Sequence, residues 1–319
     1  MKHLAFFKDI DKNSVSLAGG KGASLGEMTK AGIPVPPGFV VLADAFDRFI
    51  AETDLKTEIE ARLAEVNPND INTVDKASNV IRDVIADTPM PEDLTTQILS
   101  AYDELGAEFV AVRSSATAED SEVASWAGEL ESYLNTTRDN VVERVKRCWS
   151  SLFTPRAIFY RHEKKLLDSY VSVAVVVQKM VQSEISGIAF TVHPVTEDPD
   201  QMIIEAGYGL GEAIVSGQVT PDSYVIHKRD WLITDISIGQ QGKKLVKNQG
   251  GNNEWIELSE EDGGRQKLPG RQIIAVAEIC RKIEDHYGFP CDIEWAIEKG
   301  DIHITQSRPI TTLKAKEKA

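Results

Sequence analysis

The sequence predicts an α+β fold in which helices pack against sheets of mostly antiparallel strands. Apolar residues recur at helical spacing over three long segments, residues 43–105, 141–167 and 271–287. Short apolar runs rich in valine and isoleucine, which are typical of buried strands, occupy residues 109–113, 171–181, 187–192 and 202–206. Residues 221–258 predict three or four further antiparallel strands, and residues 292–308 predict a tight hairpin.

The composition is ordinary for a soluble globular protein. The 319 residues suffice for a sizeable core, and 42% of them are hydrophobic and 27% charged. With 35 Lys and Arg against 50 Asp and Glu, the net charge of −15 argues against a nucleic-acid or anionic-membrane partner. Cys148, Cys280 and Cys291 are scattered, which fits a reducing compartment and gives no zinc or disulfide framework. No signal peptide or membrane span is visible, so we expect a cytoplasmic location.

The first candidate site is a glycine-dense segment, Ser16 to Met28, that follows a short opening strand at residues 4–7. Its glycines allow backbone amides to approach an anion, and the helix predicted over residues 23–31 favours negative charge at its N-terminus. Lys21 adds a point charge for phosphate. The spacing does not match a Walker A loop, and most glycine-rich loops are simply turns.

The next part of the chain predicts scaffold. A proline-rich connector leads into a strand at residues 39–42, and four helices are predicted at residues 43–50, 55–65, 72–86 and 92–105. Residues 141–167 predict a long amphipathic helix that is interrupted near Pro155. None of these helices shows a pattern of catalytic residues.

An arginine follows the apolar run of residues 109–112. We expect Arg113 at the mouth of this strand, flanked by the hydroxyls of Ser114, Ser115 and Thr117, where phosphate oxygens could dock. In the loop and strand that follow, Gly128 allows a ligand close to the backbone. A solvated turn after a core strand is the alternative interpretation.

Two valine- and isoleucine-rich strands come next. The strand at residues 171–181 contains Gln178, whose amide could hydrogen-bond a purine edge. We expect it to form a hairpin with the strand at residues 187–192. The loop that follows, from Thr191 onward, is long enough to cover phosphates. His193, next to Pro194, is interpreted as a loop residue and not as a nucleophile.

Glycines again lead into a helix after the strand at residues 202–206. Glu205 lies near the end of this strand, and the glycines at 207, 209 and 211 do not fit the dinucleotide fingerprint G-x-G-x-x-G in either register. A helix at residues 271–287, closed by Gly288, precedes the last hairpin.

The C-terminal hairpin predicts a second candidate site. If a turn at residues 299–301 pairs Glu298 with Ile302, Glu294 lies opposite Gln306 and Asp292 opposite Arg308. Two carboxylates, an amide oxygen and a guanidinium then share one face, which suits a magnesium–triphosphate complex. An ordinary hairpin with a charged solvent face is the alternative interpretation.

Together, these segments resemble the N-terminal nucleotide-binding domain of the phosphoenolpyruvate synthase and pyruvate phosphate dikinase family, which has an ATP-grasp fold. The resemblance covers residues 4–313, and rifampicin phosphotransferase carries a very similar domain. Seven motifs in the family's order support it: GGKGASLGEM, VRSSATAED, SWAGELESYLN, QKM, GLGEAIVSG, DIEWA and QSRPITTL. The resemblance implies ATP and Mg²⁺ as cofactors, with the nucleotide in the cleft between two subdomains, residues 1–180 and 181–313. The polar residues 314–319 predict a disordered tail.

The resemblance also implies roles for individual residues. Lys21, Arg113 and Arg308 would bind the triphosphate and act in catalysis, and Glu294 and Gln306 would hold Mg²⁺ with Asp292 in support. Gly128, Ser132 and Gln178 would line the nucleotide pocket. The loop from Thr191 to Thr196 resembles the family's phosphate-covering loop, but Glu197 stands where a glycine is common.

Family members split ATP into AMP, pass the β-phosphoryl group to a histidine on a separate domain and give the γ-phosphate to water or phosphate. None of the six histidines here has the context of that histidine, so we expect the phosphohistidine and acceptor-binding domains in cis or in trans. The expected activity is the nucleotide half-reaction of an ATP-dependent phosphotransferase that makes phosphoenolpyruvate from pyruvate. A rifampicin-type phosphotransferase domain and a non-catalytic nucleotide-sensing subunit stay open as alternatives.

Overall fold

Strand pairing divides the protein into two main sheets, one of five strands and one of six, with a separate two-stranded ribbon. The computed structural model describes residues 2–117, 131–163, 172–310 and 313. Two units are distinguished by their internal contacts. The first contains Met1–Glu27 and Pro37–Met180, and the second contains Met28–Pro36 and Val181–Ala319. The sequence-based division at residue 180 placed the segment Met28–Pro36 in the first subdomain, whereas its contacts group it with the second unit. We call Met28–Pro36 the inserted segment. The predicted tail at residues 314–319 lies outside the described residues.

The first unit is built on the five-stranded sheet, in the order β1-β2-β5-β3-β4 with antiparallel pairing. Its strands are β1 (Leu4–Phe6), β2 (Gly38–Val41), β3 (Val110–Ala116), β4 (Ser132–Thr136) and β5 (Val173–Lys179). Its helices are α1 (Val15–Lys30, which ends within the inserted segment), α2 (Ala43–Glu52), α3 (Leu55–Ala64), α4 (Ile71–Asp87), α5 (Glu92–Leu105), α6 (Val141–Ser150) and α7 (Pro155–Glu163). Short 3-10 turns lie at Phe7–Asp9, Lys12–Ser14 and Ser151–Phe153.

Alternation along the strands gives the first sheet one apolar face. Val110, Val112, Val175 and Val177 belong to a large core that also contains buried side chains of α2 to α7. Trp149 of α6 lies at its centre with the ring of Phe49 at 5.0 Å. Because neighbouring side chains in a strand point to opposite faces, Ala111, Arg113 and Ser115 lie on the other face of the sheet.

The second unit is built on the six-stranded antiparallel sheet, in the order β13-β12-β6-β7-β8-β9. Its elements are β6 (Ile185–Phe190), β7 (Gln201–Tyr208), α8 (Glu212–Val215), β8 (Asp222–His227), β9 (Leu232–Ser237), β10 (Lys243–Lys247), β11 (Asn253–Glu257), α9 (Glu260–Gly263), α10 (Gly270–Tyr287), β12 (Cys291–Glu298) and β13 (Asp301–Pro309). Strands β10 and β11 form the two-stranded ribbon.

The second sheet also has one apolar face. Ile293, Trp295 and Ile204 are buried on it, and α10 presents a buried apolar stripe of Ile273, Val276, Ala277, Cys280 and Ile283. Helix α10 contacts β7, β8 and β12, so it covers this face. The side chains that alternate with the apolar ones, Asp292, Glu294 and Glu205 among them, therefore lie on the face away from α10.

Two features differ from the sequence-based expectation. The strands at residues 173–179 and 185–190 do not form a hairpin, because β5 is paired on both sides by β2 and β3 and β6 is paired by β7 and β12. The first helix begins at Val15 and not at residue 23. The helix predicted over residues 141–167 is broken by a 3-10 turn before Pro155, as expected, and residues 164–171 lie outside the described part of the chain.

Among the helices that the structure describes, none combines the length and the apolar character needed to cross a membrane.

Candidate functional site

The polar residues predicted in the first unit lie on the face of its sheet away from the apolar core. Arg113 Nη2 donates to Gln178 Oε1 at 2.7 Å across the β3–β5 pair. Both side chains are buried, Arg113 with 8% and Gln178 with 2% of its surface exposed. Arg113 does not end the strand as predicted, because Ser114, Ser115 and Ala116 continue the pairing with β5. The contact fixes the amide orientation of Gln178, since its oxygen must face the guanidinium.

Ser132 and Lys21 belong to the same region of the first unit. Ser132 is exposed and pairs with Arg113 across β3 and β4, so their side chains share a face. Lys21, in α1, is half-buried. Its neighbour Gly22 donates its N–H to Ser115 Oγ of β3, which places Lys21 beside this strand. Gly128 lies outside the described residues.

A serine of β3 locks the glycine-rich segment in place. Ser115 Oγ donates to the carbonyl of Ala18 at 2.9 Å and accepts the backbone N–H of Gly22 at 3.2 Å. The hydroxyls of Ser114 and Thr117 donate to the carbonyls of Glu131 and Ser172. The expectation that these hydroxyls face a phosphate is therefore wrong for Ser115, whose hydroxyl is bonded to the backbone of the glycine-rich segment.

Gly19 allows this close approach. It interrupts the helical dihedrals of α1 with φ 68° and ψ 171°, and a Cβ placed on it would lie 2.2 Å from Ser115 Oγ. This region of φ and ψ is accessible essentially to glycine alone. Lys21 follows two residues later, so the break at Gly19 positions its helical turn against β3.

We expect Gly19→Ala to destabilise the protein by more than about 3 kcal/mol, because backbone strain and a steric clash act together. Chemical denaturation of the variant measures this. Gly106→Ala is the matched control, since Gly106 also has a positive φ, 61°, but no atom lies within 4 Å of its Cβ position. A loss of stability equal to that of the control would show that the contact with Ser115 does not constrain Gly19.

The C-terminal hairpin pairs the predicted residues, although by a different turn. Glu294 lies opposite Gln306 and Asp292 opposite Arg308, as predicted. Glu298, however, pairs with Asp301 and not with Ile302. The turn has only two residues, Lys299 and Gly300, with φ of 53° and 87°, which is the type I′ geometry favoured in hairpins. A bulge at residue 305 shifts the register by one residue and restores the predicted pairs.

We call Asp292, Glu294, Gln306, Arg308 and Glu205 the polar face of the second sheet. Arg308 binds Asp292 Oδ2 through Nε and Nη2, each at 2.8 Å. Glu205 lies in the same cross-strand row as Glu294, with Ile188 between them, which separates the two strands by about 10 Å. Burial raises the pKa of Glu205, and the charge of Asp292 raises it further. The three carboxylates outnumber the one guanidinium of this set, which favours an added cation.

The oxygen donors of the polar face fit a magnesium ion. Glu294 and Gln306 are a directly opposed pair, and Mg²⁺ is typically held by one or two protein oxygens with water and substrate phosphates completing its octahedron. Within the described ranges, no group of three or more His, Cys, Asp or Glu side chains is arranged to hold a metal. Water and substrate phosphates would complete the coordination of an ion held by Glu294 and Gln306.

A structured loop of residues 191–198 begins beside the polar face. Its first residue, Thr191, donates its N–H to the carbonyl of Cys291 at 3.0 Å and accepts the Cys291 N–H at Oγ1 at 2.8 Å. Cys291 immediately precedes Asp292. The base of the loop is thus fixed next to the Asp292–Arg308 ion pair.

Glu197 takes a backbone conformation that glycine adopts more easily. Its φ is 55°, in the left-handed region. This is the position at which the family resemblance implies a glycine, so the structure gives a physical reason for that preference. The loop keeps the glycine-like conformation even though the residue is glutamate.

We expect Glu197→Gly to stabilise the protein by about 1 kcal/mol. A non-glycine residue in the left-handed region costs about 1–2 kcal/mol. The greater freedom of glycine in the unfolded chain offsets part of the gain from removing this strain. Denaturant unfolding of the two proteins measures the difference. A destabilised variant would contradict the inference that the backbone at residue 197 is strained.

The chain is similar to several known proteins. A probable phosphoenolpyruvate synthase of Methanocaldococcus jannaschii is 46% identical over 325 residues, covering 100% of this chain and 27% of that protein. A probable phosphoenolpyruvate synthase of Archaeoglobus fulgidus is 49% identical, covering 99% of this chain and 42% of that protein. The phosphoenolpyruvate synthase of Pyrococcus furiosus is 41% identical, covering 98% and 44%. The chain spans less than half the length of each of these relatives.

The family model of the pyruvate phosphate dikinase AMP/ATP-binding domain matches residues 15–319, which include the glycine-rich segment, β3 and the C-terminal hairpin. The α+β architecture with two antiparallel sheets agrees with the ATP-grasp fold expected of that domain. The chain belongs to the pyruvate phosphate dikinase AMP/ATP-binding domain family.

Proposed function

We propose that the chain binds MgATP and carries out the nucleotide half-reaction of phosphoenolpyruvate synthesis from pyruvate. In this reaction ATP is cleaved to AMP, the β-phosphoryl group passes to a histidine on a separate domain, in cis or in trans, and the γ-phosphate passes to water or phosphate. Support comes from the family match and from relatives that are named phosphoenolpyruvate synthases. The observation that carries the proposal is the alignment of Glu294 with Gln306 beside the Asp292–Arg308 ion pair.

In the first unit, we assign phosphate binding to Lys21 and Arg113 and the nucleotide pocket to Gln178, Ser132 and Gly128. The contact between Arg113 and Gln178 supports this assignment, because the oxygen of the amide is already engaged and its NH₂ group is oriented away from the guanidinium. Such an NH₂ group is a donor suited to a purine nitrogen. The buried guanidinium has lost most of its hydration, so a phosphate would interact with it strongly.

In the second unit, we assign Mg²⁺ binding to Glu294 and Gln306, with Asp292 in support, and phosphate binding to Arg308. A bound Mg²⁺ would neutralise phosphate charge as the phosphoryl group is transferred. Asp292 holds the Arg308 guanidinium at the edge of the polar face, and 60% of the Arg308 side chain is exposed. The exposed guanidinium is therefore accessible to an added phosphate.

The 191–198 loop is the segment that we assign to covering the phosphates. It starts next to Asp292, and its tip is exposed, with 85% of the Val195 surface accessible. A covering loop excludes water from the phosphoryl group, which favours transfer to a histidine over hydrolysis.

Two measurements test the proposal. Calorimetric titration of the chain with a non-hydrolysable ATP analogue should give binding that requires Mg²⁺. Incubation with ATP, Mg²⁺ and a histidine domain from a relative should give AMP and a phosphohistidine. Absence of binding would overturn the proposal, and binding without AMP formation in the presence of the histidine domain would overturn the catalytic part.

A further inference from the structure

The 191–198 loop contains a single helical turn with an unusual cap. The N–H of Glu197 donates to the carbonyl of His193 at 2.8 Å, which closes one turn. The N–H groups of Val195 and Thr196 both donate to His193 Nδ1, each at 3.2 Å. Serine, threonine or aspartate usually accepts such amides at the start of a helix. Here an imidazole nitrogen does so.

Two further features hold the same turn. Pro194 occupies the first position after the cap, where its missing N–H and fixed φ are favourable. The N–H of His193 donates to the carbonyl of Asp198 at 3.3 Å, which joins the two ends of the turn. The cap from His193 Nδ1 thus adds to backbone hydrogen bonds that already close the turn.

The contacts of His193 determine where its proton lies. A ring nitrogen that accepts two N–H groups carries no proton, so neutral His193 has its proton on Nε2. In an imidazole ring the Nδ1 lone pair and the Nε2–H point in diverging directions. The ring therefore uses one nitrogen for the loop backbone and keeps the other as a donor directed away from it.

We infer that His193 is a positioning residue for nucleotide binding, which acts by capping the turn through unprotonated Nδ1 and so holds the 191–198 loop beside the polar face. This role rests on the proposed binding of MgATP by that face. In the closed turn it is not a nucleophile or a phosphoryl carrier, because the Nδ1 lone pair accepts two backbone amides and Nε2 carries the proton.

Substitution of His193 by asparagine and by alanine distinguishes the capping role of Nδ1 from any role of Nε2. The Oδ1 atom of asparagine is bonded in the same position as Nδ1 and accepts the same amides, but asparagine has no group that corresponds to Nε2. Alanine has neither. We expect His193→Asn to bind MgATP within about twofold of the wild-type chain and His193→Ala to bind about tenfold more weakly, as loss of a helix cap predicts.

NMR of the isotope-labelled imidazole nitrogens gives a second measurement, and it needs no nucleotide. The His193 spectrum of the free chain should show a bare Nδ1 and a protonated Nε2. His286→Asn is the matched control, since His286 is exposed on α10, which covers the face of the sheet away from the polar face, and the substitution should leave MgATP affinity unchanged.

The results distinguish failure of the His193 role from failure of the proposed function. A protonated Nδ1, or His193→Ala with wild-type affinity, or His193→Asn as weak as His193→Ala, would overturn the positioning role. If the wild-type chain fails to bind MgATP, the proposed function fails, and a bare Nδ1 in the spectrum would still establish the cap. If the chain binds MgATP but Nδ1 is protonated, only the role of His193 fails.

Discussion

Replacing Asp222 with Asn is expected to destabilise the second unit by about 3–5 kcal/mol, the usual cost of breaking a buried ion pair by altering one partner. Asp222 and Lys267 are both fully buried, with 0% of either side chain exposed, and Lys267 Nζ lies 2.8 Å from Asp222 Oδ1. The substitution removes the negative charge and leaves the ammonium without its counter-ion.

The Asp222 carboxylate accepts three further hydrogen bonds. The Tyr224 hydroxyl donates at 2.6 Å, and the backbone N–H groups of Gly239 and Lys267 donate at 3.0 and 2.7 Å. Lys267 Nζ also donates to the carbonyls of Gly239 and Gly263. One pair of side chains thus joins β8 to the segments before β10 and after α9. The groups around the Asp222 carboxylate are all hydrogen-bond donors. The NH₂ group of an asparagine would face one of these donors where a carboxylate oxygen now accepts, which adds to the loss of stability.

Chemical denaturation followed by tryptophan fluorescence measures the effect. Asp200→Asn is the matched control, because Asp200 pairs with Arg229 on the surface of the same unit, where the two side chains are 40% and 73% exposed. Exposed pairs contribute about 0–1 kcal/mol. Equal effects of the two substitutions would show that burial does not strengthen the Asp222–Lys267 pair.

Replacing Arg113 with Ala is expected to reduce ATP turnover by about 10²–10³-fold, the range observed when a preorganised donor to a developing charge is removed. Arg113 is buried and oriented by Gln178, so its guanidinium requires little rearrangement to bind phosphate. Lysine in its place keeps the charge but not the planar fork of donors. Arg113→Lys should therefore restore only part of the activity.

The measurement is formation of AMP in the presence of a histidine domain, with circular dichroism as the test that the variant is folded. Arg138→Ala is the matched control, since Arg138 forms an exposed ion pair with Asp103 in the same unit. If Arg113→Ala turned over ATP at the wild-type rate, Arg113 would have no part in phosphate binding. A folded variant that lost both binding and turnover would support the assignment.

Local patterns predicted most of the secondary structure. The four helices between residues 43 and 105 were expected within one or two residues of their observed ends, because apolar residues recur at helical spacing and prolines or a glycine flank the last two helices. The cross-strand pairs of the last hairpin were also predicted correctly. The turn that produces them was not, since a bulge depends on twist and packing and leaves no distinct mark in the sequence.

Long-range pairing was predicted less well. The valine-rich strand at residues 173–179 and the next strand at 185–190 are close in sequence, which favours a hairpin, yet each finds its partners elsewhere in the chain. The buried Asp222–Lys267 pair links residues 45 positions apart, and nothing in the local sequence marks either residue as a partner. Ser115 was expected to face a phosphate but instead satisfies the backbone at Ala18 and Gly22.

The sequence by itself determined the fold class, an α+β protein with ATP-grasp motifs. Its strands and helices are indicated by apolar residues that recur every two and every 3.6 residues. Tertiary structure alone decided which nitrogen of His193 caps the loop, which hydroxyl holds the glycine segment and which acid is buried with Lys267. These outcomes depend on hydrogen-bond partners far apart in sequence or on backbone dihedrals. A buried polar group takes whichever partner the fold brings to it, because leaving it unpaired costs more than any local preference.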